Sequence, residues 1–200
     1  MDEALRQKLL SMARHDQEIR GRLAGDGSLF DGYHPEMQAV HEANAAALDA
    51  ILAERGWPRV ALVGEDGAEA AWLVAQHAIG LPDFQRRCLG LLEAAAGRGE
   101  VPAWQPACLD DRIRSFEGRA QLYGTQFDWD EDGLMSPLPI EAPDEVDARR
   151  AAFGLPPLAE TTAMHRRNVT AEAKPADLAR RKREMHEWAV RVGWRAPTGP

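Results

Sequence analysis

Through its first hundred residues the chain repeats apolar side chains at steps of three and four. That spacing constrains the fold more than any other feature, because side chains so spaced share one helical face that has to be buried against another. Leu5, Leu9, Met12, Ile19 and Leu23 form such a stripe over residues 3 to 24. A second helix is expected in YHPEMQAVHEANAAALDAIL, residues 33 to 52, with Met37, Leu48 and Ile51 facing inward. Pro35 suits its first turn, and Gly56 and Pro58 stop it. GAEAAWLVAQHAI, residues 67 to 79, carries a third stripe of Ala70 and Leu73 or Val74. After Pro82, a fourth helix turns Phe84, Cys88, Leu91, Leu92 and Ala95 inward.

Three of these stripes are interrupted by polar residues. Counting along the first puts Asp16 on the apolar face, counting along the second puts His41 and Asn44 there, and the third ends on His77. An unpaired polar group in an apolar core costs about 1 to 3 kcal/mol, so helices that bury these faces together should let the groups satisfy one another. Asp16, His41, Asn44 and His77 are therefore expected in one cluster. His34 lies seven residues before His41, roughly 10.5 Å along a helix, and a capping or loop role suits it better.

The remainder of the chain reads less regularly. RVALVGEDG, before the third helix, reads as a short extended segment, and RIRSFEGRAQLYGTQFDW reads as a β-hairpin over about residues 112 to 127. From Asp128 to Pro157 the sequence is acidic and rich in Pro and Gly, which predicts an irregular excursion. PADLARRKREMHEWAVRVGW is helical in pattern, with Leu178, Met185, Trp188 and Val192 on one side. The expectation is a mainly α fold: one compact helical domain with a small β-hairpin over residues 1 to 160, and a basic C-terminal helical tail over 161 to 200.

Composition narrows the function classes. A net charge of −8 disfavours nucleic acid as a partner, since phosphate binding needs a basic surface. No run of about 18 apolar residues and no signal-like N-terminus is present, so neither a membrane span nor export is expected, and the cytoplasm is the expected location. Cys88 and Cys108 have no zinc-site spacing and form no disulfide framework. The tail's apolar stripe should pack on its own domain or on a second copy, the latter giving a homodimer through the C-terminal helix, with the acidic 128 to 147 stretch as a complementary surface.

In chemical terms, Asp16 beside either histidine makes an oriented acid-base pair, because a carboxylate holding one ring nitrogen fixes the tautomer and raises the basicity of the other. The same trio offers two imidazoles and a carboxylate to a metal ion. With only two well-placed histidines legible, no stoichiometric transition metal is expected, and the cofactor is unknown. HExxH pairs, nucleophile elbows, Walker loops and Rossmann glycine sets are all absent from the sequence. QLYGTQF, residues 121 to 127, offers Tyr123 and Gln126 as directional donors and acceptors around Gly124, where glycine permits a bulge or a close approach.

GWPRVALVGEDGAEAAWLVAQHA, DFQRRCLGLLEAAAGRGEVPAW and LDDRIRSFEGRAQLYGTQFDWDEDG, in that order, resemble an uncharacterised bacterial family of domains of unknown function, numbered 6624. The likeness covers about residues 3 to 160. It implies a compact domain with His77, Asp83, Gln85, Tyr123, Gly124 and Gln126 in the family's typical motifs, and it brings no activity or cofactor with it. Two readings of function follow. One is a small-molecule enzyme, a hydrolase or lyase, with His77 and His41 as acid-base groups, Asp16 orienting one of them, and Asn44, Tyr123, Gln126, Asp83 and Gln85 contacting substrate. The other is a non-catalytic binding or interaction module in which the polar cluster is structural.

Overall fold

Each of the first two helices starts on a side chain that caps it. Asp2 accepts a hydrogen bond from Leu5 N at 3.0 Å and opens α1, Glu3–Gly25. His34 Nδ1 accepts from Glu36 N at 3.2 Å and opens α2, Pro35–Arg55, with Pro35 in the first turn. His34 thus holds the capping place its spacing predicts. The computed structural model describes residues 1–30, 32–169 and 177–197, and in these there are eight α-helices and one two-stranded sheet. The chain divides into two compact units, Met1–Gln105 and Pro106–Pro200. The boundary expected near residue 160 falls inside the second unit, and residues 170–176 and 198–200 of the expected tail lie outside the described residues.

In the first unit, α1 packs on α2 and on α3, Val60–His77, and α4 follows at Pro82–Gly97. The core follows the stripes in most places: Leu9 and Leu23 from α1, Met37 and Leu48 from α2, Ala70 and Val74 from α3, Phe84, Cys88 and Leu92 from α4; Val63 and Ala71 join it from off the stripe, and Leu91, expected inward, is exposed. Small residues let the backbones approach. A Cβ at Gly67 would stand 2.9 Å from Val63 Cβ and 3.3 Å from Arg6 Cγ of α1. One expectation is corrected here: RVALVGEDG is not extended. Val60–Val63 form a helical turn with Val63 N bonded to Arg59 O at 3.1 Å, and Gly64 (φ 77°, ψ 170°) kinks the chain before α3 continues. A short apolar run has no period by which strand and helix differ, and burial of Val63 decided the matter.

The hairpin expected over 112 to 127 is also corrected. Residues Trp104–Glu117 form α5, with Leu109 and Ile113 buried at a four-residue step and an Asp110–Arg114 ion pair at 3.0 Å, and Gly118 (φ 78°) ends it. Spacings of three and four had been masked by interleaved arginines that alternate like a strand. The actual hairpin lies in the acidic segment, where β1, Phe127–Trp129, pairs antiparallel with β2, Met135–Pro137. Helix α6, Val146–Ala152, also lies in the stretch expected to be irregular, and α7, Leu158–Asn168, follows directly after it.

The tail helix α8, Leu178–Arg191, is capped by Asp177. It packs within the second unit. Phe116 sits between Trp188 and Trp194, each ring 5.4 Å away, and Arg195 closes the end of α5 by donating to Ser115 O and Phe116 O at 3.0 and 2.7 Å. Trp188, Ala189 and Trp194 are buried, whereas Met185, placed on the inward stripe by its spacing, is 42% exposed. Arg181 meets Asp128 at 3.1 Å, joining the basic tail to the acidic stretch. Among the described residues no helix is long and apolar enough to cross a membrane.

Candidate functional site

Three helices of the first unit each bring one polar side chain to a common point. Asp16 comes from the middle of α1 and is wholly buried; His41 comes from the second turn of α2; His77 is the last residue of α3. Asp16 Oδ1 lies 2.8 Å from His77 Nδ1. Asp16 Oδ2 lies 3.1 Å from His41 Nε2, but the pair lacks the alignment of a hydrogen bond, and neither atom has another hydrogen-bond partner. The two imidazole centroids are 5.4 Å apart. One donor atom each from Asp16, His41 and His77 can be chosen so that all lie within 4.8 Å of one another.

Charge in this cluster is set by competition. Burial acts to raise the Asp16 carboxyl, but the two histidines outweigh it and hold the group well below the usual carboxylate range. Asp16 is an anion at neutral pH. Tyr33 Oη lies 2.8 Å from His41 Nδ1, with burial first, and the Glu42 and Asp16 carboxylates after it, pushing the phenol up. The phenol therefore keeps its proton and can donate it to Nδ1, which puts the proton of a neutral His41 on Nε2, facing Asp16. Side chains of His41 and His77 are 9% and 19% exposed, so His77 forms the more open side of the cluster.

Sequence spacing foresaw three of these residues and missed the fourth. Tyr33 sits two residues before Pro35, in a loop with no period to read. Asn44 is buried on the same face as His41, but its Nδ2 donates to Met12 O at 3.2 Å and so ties α2 to α1. Gln85 is buried and its Nε2 donates to Ala75 O and Gln76 O at 2.6 and 3.0 Å, closing the last turn of α3 next to His77. Asp83 is exposed and pairs with Arg86 at 3.1 Å.

Across residues 3–170 the chain matches the model of DUF6624, a family of unknown function. The chain belongs to this family. No curated protein and no solved structure matches it. The DUF6624 match includes Asp16, Tyr33, His41 and His77, and leaves α8 outside.

The matched region also includes Tyr123 and Gln126, which belong to the second unit, where their surroundings are chiefly structural. Tyr123 packs its ring on Phe153 at 4.8 Å, and Gln126 Nε2 donates to Thr125 Oγ1 at 3.0 Å. Their loop is held by two buried charged residues that carry no motif in sequence. Asp111 accepts from Leu122 N, Tyr123 N, Thr125 N and Thr125 Oγ1 at 2.6, 3.1, 2.9 and 3.0 Å. Arg150 donates to Tyr123 O, Pro156 O and Thr161 Oγ1 at 2.6, 2.5 and 2.6 Å. QLYGTQF in this chain is a pinned loop, and its Gly124 (φ 67°) leaves room for Leu158 and Ile140.

Proposed function

We propose that the chain is a small-molecule enzyme, a hydrolase or lyase, working at the centre formed by Asp16, His41 and His77. The observation that carries this reading is the 2.8 Å contact of Asp16 Oδ1 with His77 Nδ1. A buried carboxylate that takes the Nδ1 proton puts the basic lone pair of a neutral imidazole on Nε2 and stabilises the imidazolium formed when that nitrogen accepts a proton. His77, on the more open side, is the group that meets substrate. His41, held between Tyr33 and the same carboxylate, is the second acid-base group, and Asn44 and Gln85 position the helices that carry the pair.

A reducing cytoplasm is the setting this reading assumes, supported by the free thiols of Cys88 and Cys108. Met185, exposed on α8, is apolar surface that a second copy would cover in a homodimer.

The test compares wild type with His77→Gln on chromogenic carboxylic esters and phosphodiesters for hydrolysis, and on hydroxy acids for elimination. Turnover of one class, lowered by about 100-fold or more in the variant at unchanged melting temperature, is the expected result. Wild-type protein that turns over none of them, with a variant that is merely less stable, would return the cluster to the structural network of a binding module.

A further inference from the structure

We infer that Asp16, His41 and His77 form a binding site for one divalent first-row transition ion of the zinc type, which deepens the reading of this centre as catalytic and rests on it. Geometry comes first. In a tetrahedral site with bonds of about 2.0 to 2.2 Å, donor atoms stand about 3.4 Å apart. The contacts of Asp16 with His77 Nδ1 and with His41 Nε2 are 2.8 and 3.1 Å, and donors from all three residues fall within 4.8 Å. The two short contacts use different oxygens of Asp16, and closing the widest donor separation to about 3.4 Å takes up to about 1.4 Å of side-chain adjustment on loading.

The second observation is the state of the buried atoms. Asp16 Oδ2 and His41 Nε2 face each other out of contact with solvent, yet they make no aligned hydrogen bond. Buried polar atoms are nearly always satisfied, and these two, 3.1 Å apart and paired only by charge, have room for a cation between them. A cation accepting a lone pair from each removes both deficits.

Tyr33 supplies the third. Histidines that ligate a metal donate their remaining ring N–H to an outer partner, which fixes the tautomer and the ring orientation. Tyr33 Oη stands 2.8 Å from His41 Nδ1 and fills that place. With an ion held, His41 would present Nδ1–H to Tyr33 Oη and His77 would carry its proton on Nε2, so the ion and its open position would take over the role that His77 Nε2 has in the metal-free reading. Two nitrogens and one carboxylate oxygen, with no thiolate, suit Zn²⁺, Fe²⁺, Co²⁺ or Mn²⁺, and three protein ligands leave a coordination position for water or substrate.

Full-length protein purified without a histidine tag, stripped with chelator and dialysed, is titrated calorimetrically with Zn²⁺ and, in parallel, with Co²⁺ followed by visible absorption. The expected result is one ion per chain, with affinity at least about 100-fold weaker in His41→Ala and about 10-fold weaker in Tyr33→Phe, both variants matching wild type in circular dichroism. Absence of saturable binding by wild type, or equal binding by a folded His41→Ala, overturns the site; should that variant fail to fold, wild-type stoichiometry and the cobalt spectrum decide alone. Turnover measured in chelator separates the two ideas. A protein that binds no ion yet needs His77 for activity keeps the acid-base reading, and one that binds an ion and turns over no substrate keeps the metal site without the enzyme.

Discussion

Asp16 Oδ1 and His77 Nδ1 meet at 2.8 Å from positions 61 residues apart, joining the middle of α1 to the last turn of α3. The carboxyl is lowered in the fold, burial opposing and the two histidines prevailing. A lowered carboxyl stabilises the fold at pH values above its unfolded value, near 3.9, and that contribution is lost as pH falls through the folded value. Melting temperature followed from pH 7 downward should thus fall more steeply below about pH 4 in wild type than in Asp16→Asn, which should already be less stable at pH 7. Parallel curves for the two proteins would show that this carboxylate does not carry the linkage.

Gly124→Ala should destabilise the second unit. Its φ of 67° disfavours any side chain, and a Cβ would stand 2.8 Å from Leu158 Cδ1 and 2.9 Å from Ile140 Cδ1. Backbone strain and overpacking together should cost about 1 to 3 kcal/mol, read from the midpoint of urea unfolding. An unchanged midpoint would mean that both side chains move aside freely.

Trp188→Ala should cost about 3 to 5 kcal/mol, because the indole is buried against Phe116 and its loss leaves a cavity. Truncation after residue 172 should lower the melting temperature, because it strips Trp188 and Trp194 from Phe116. If the melting temperature is unchanged, the tail does not dock.

Thiol chemistry offers a probe of intactness. Burial pushes the Cys88 thiol up to about 12 and the Cys108 thiol up to about 11. Thiolate is the reacting form, so Ellman's reagent at pH 8 should label neither cysteine in the native protein and both in denaturant. Rapid labelling under native conditions would reveal local opening around α4 or α5.

The cluster was legible because a polar residue on an apolar helical stripe has only the other stripes to meet. Asp16, His41 and His77 each broke a three-four rhythm, and the rhythm itself placed α1 to within a residue, α2 to within a turn, and the start of α4. Legibility ended where that rhythm did. Tyr33 stands in a loop, so nothing in the spacing marked it. Asn44 broke a stripe as His41 did, yet from one turn further along it reaches the Met12 carbonyl rather than Asp16. In α5 the rhythm persists through Leu109, Ile113 and Phe116, but the local alternation of Arg112, Ile113 and Arg114 reads as a strand, and burial of Leu109 and Ile113 settled the helix. Asp111 and Arg150 were unreadable, since a charge that bonds to backbone has no partner residue type to signal it.

Residues 121 to 126 have no ladder of neighbouring strands beside most of their length, and two side chains substitute for one. Asp111 takes up the N–H groups of Leu122, Tyr123 and Thr125 as a strand's carbonyls would, and Arg150 supplies donors to the carbonyls of Tyr123 and Gly124. The Gln121 side chain adds a third mimic, accepting from Gln126 N and donating to Gln126 O. A segment with the outward form of a loop thereby acquires the persistence of sheet: its amide protons should wait, in deuterated solvent, for the opening of the whole unit rather than for the flicker of a turn.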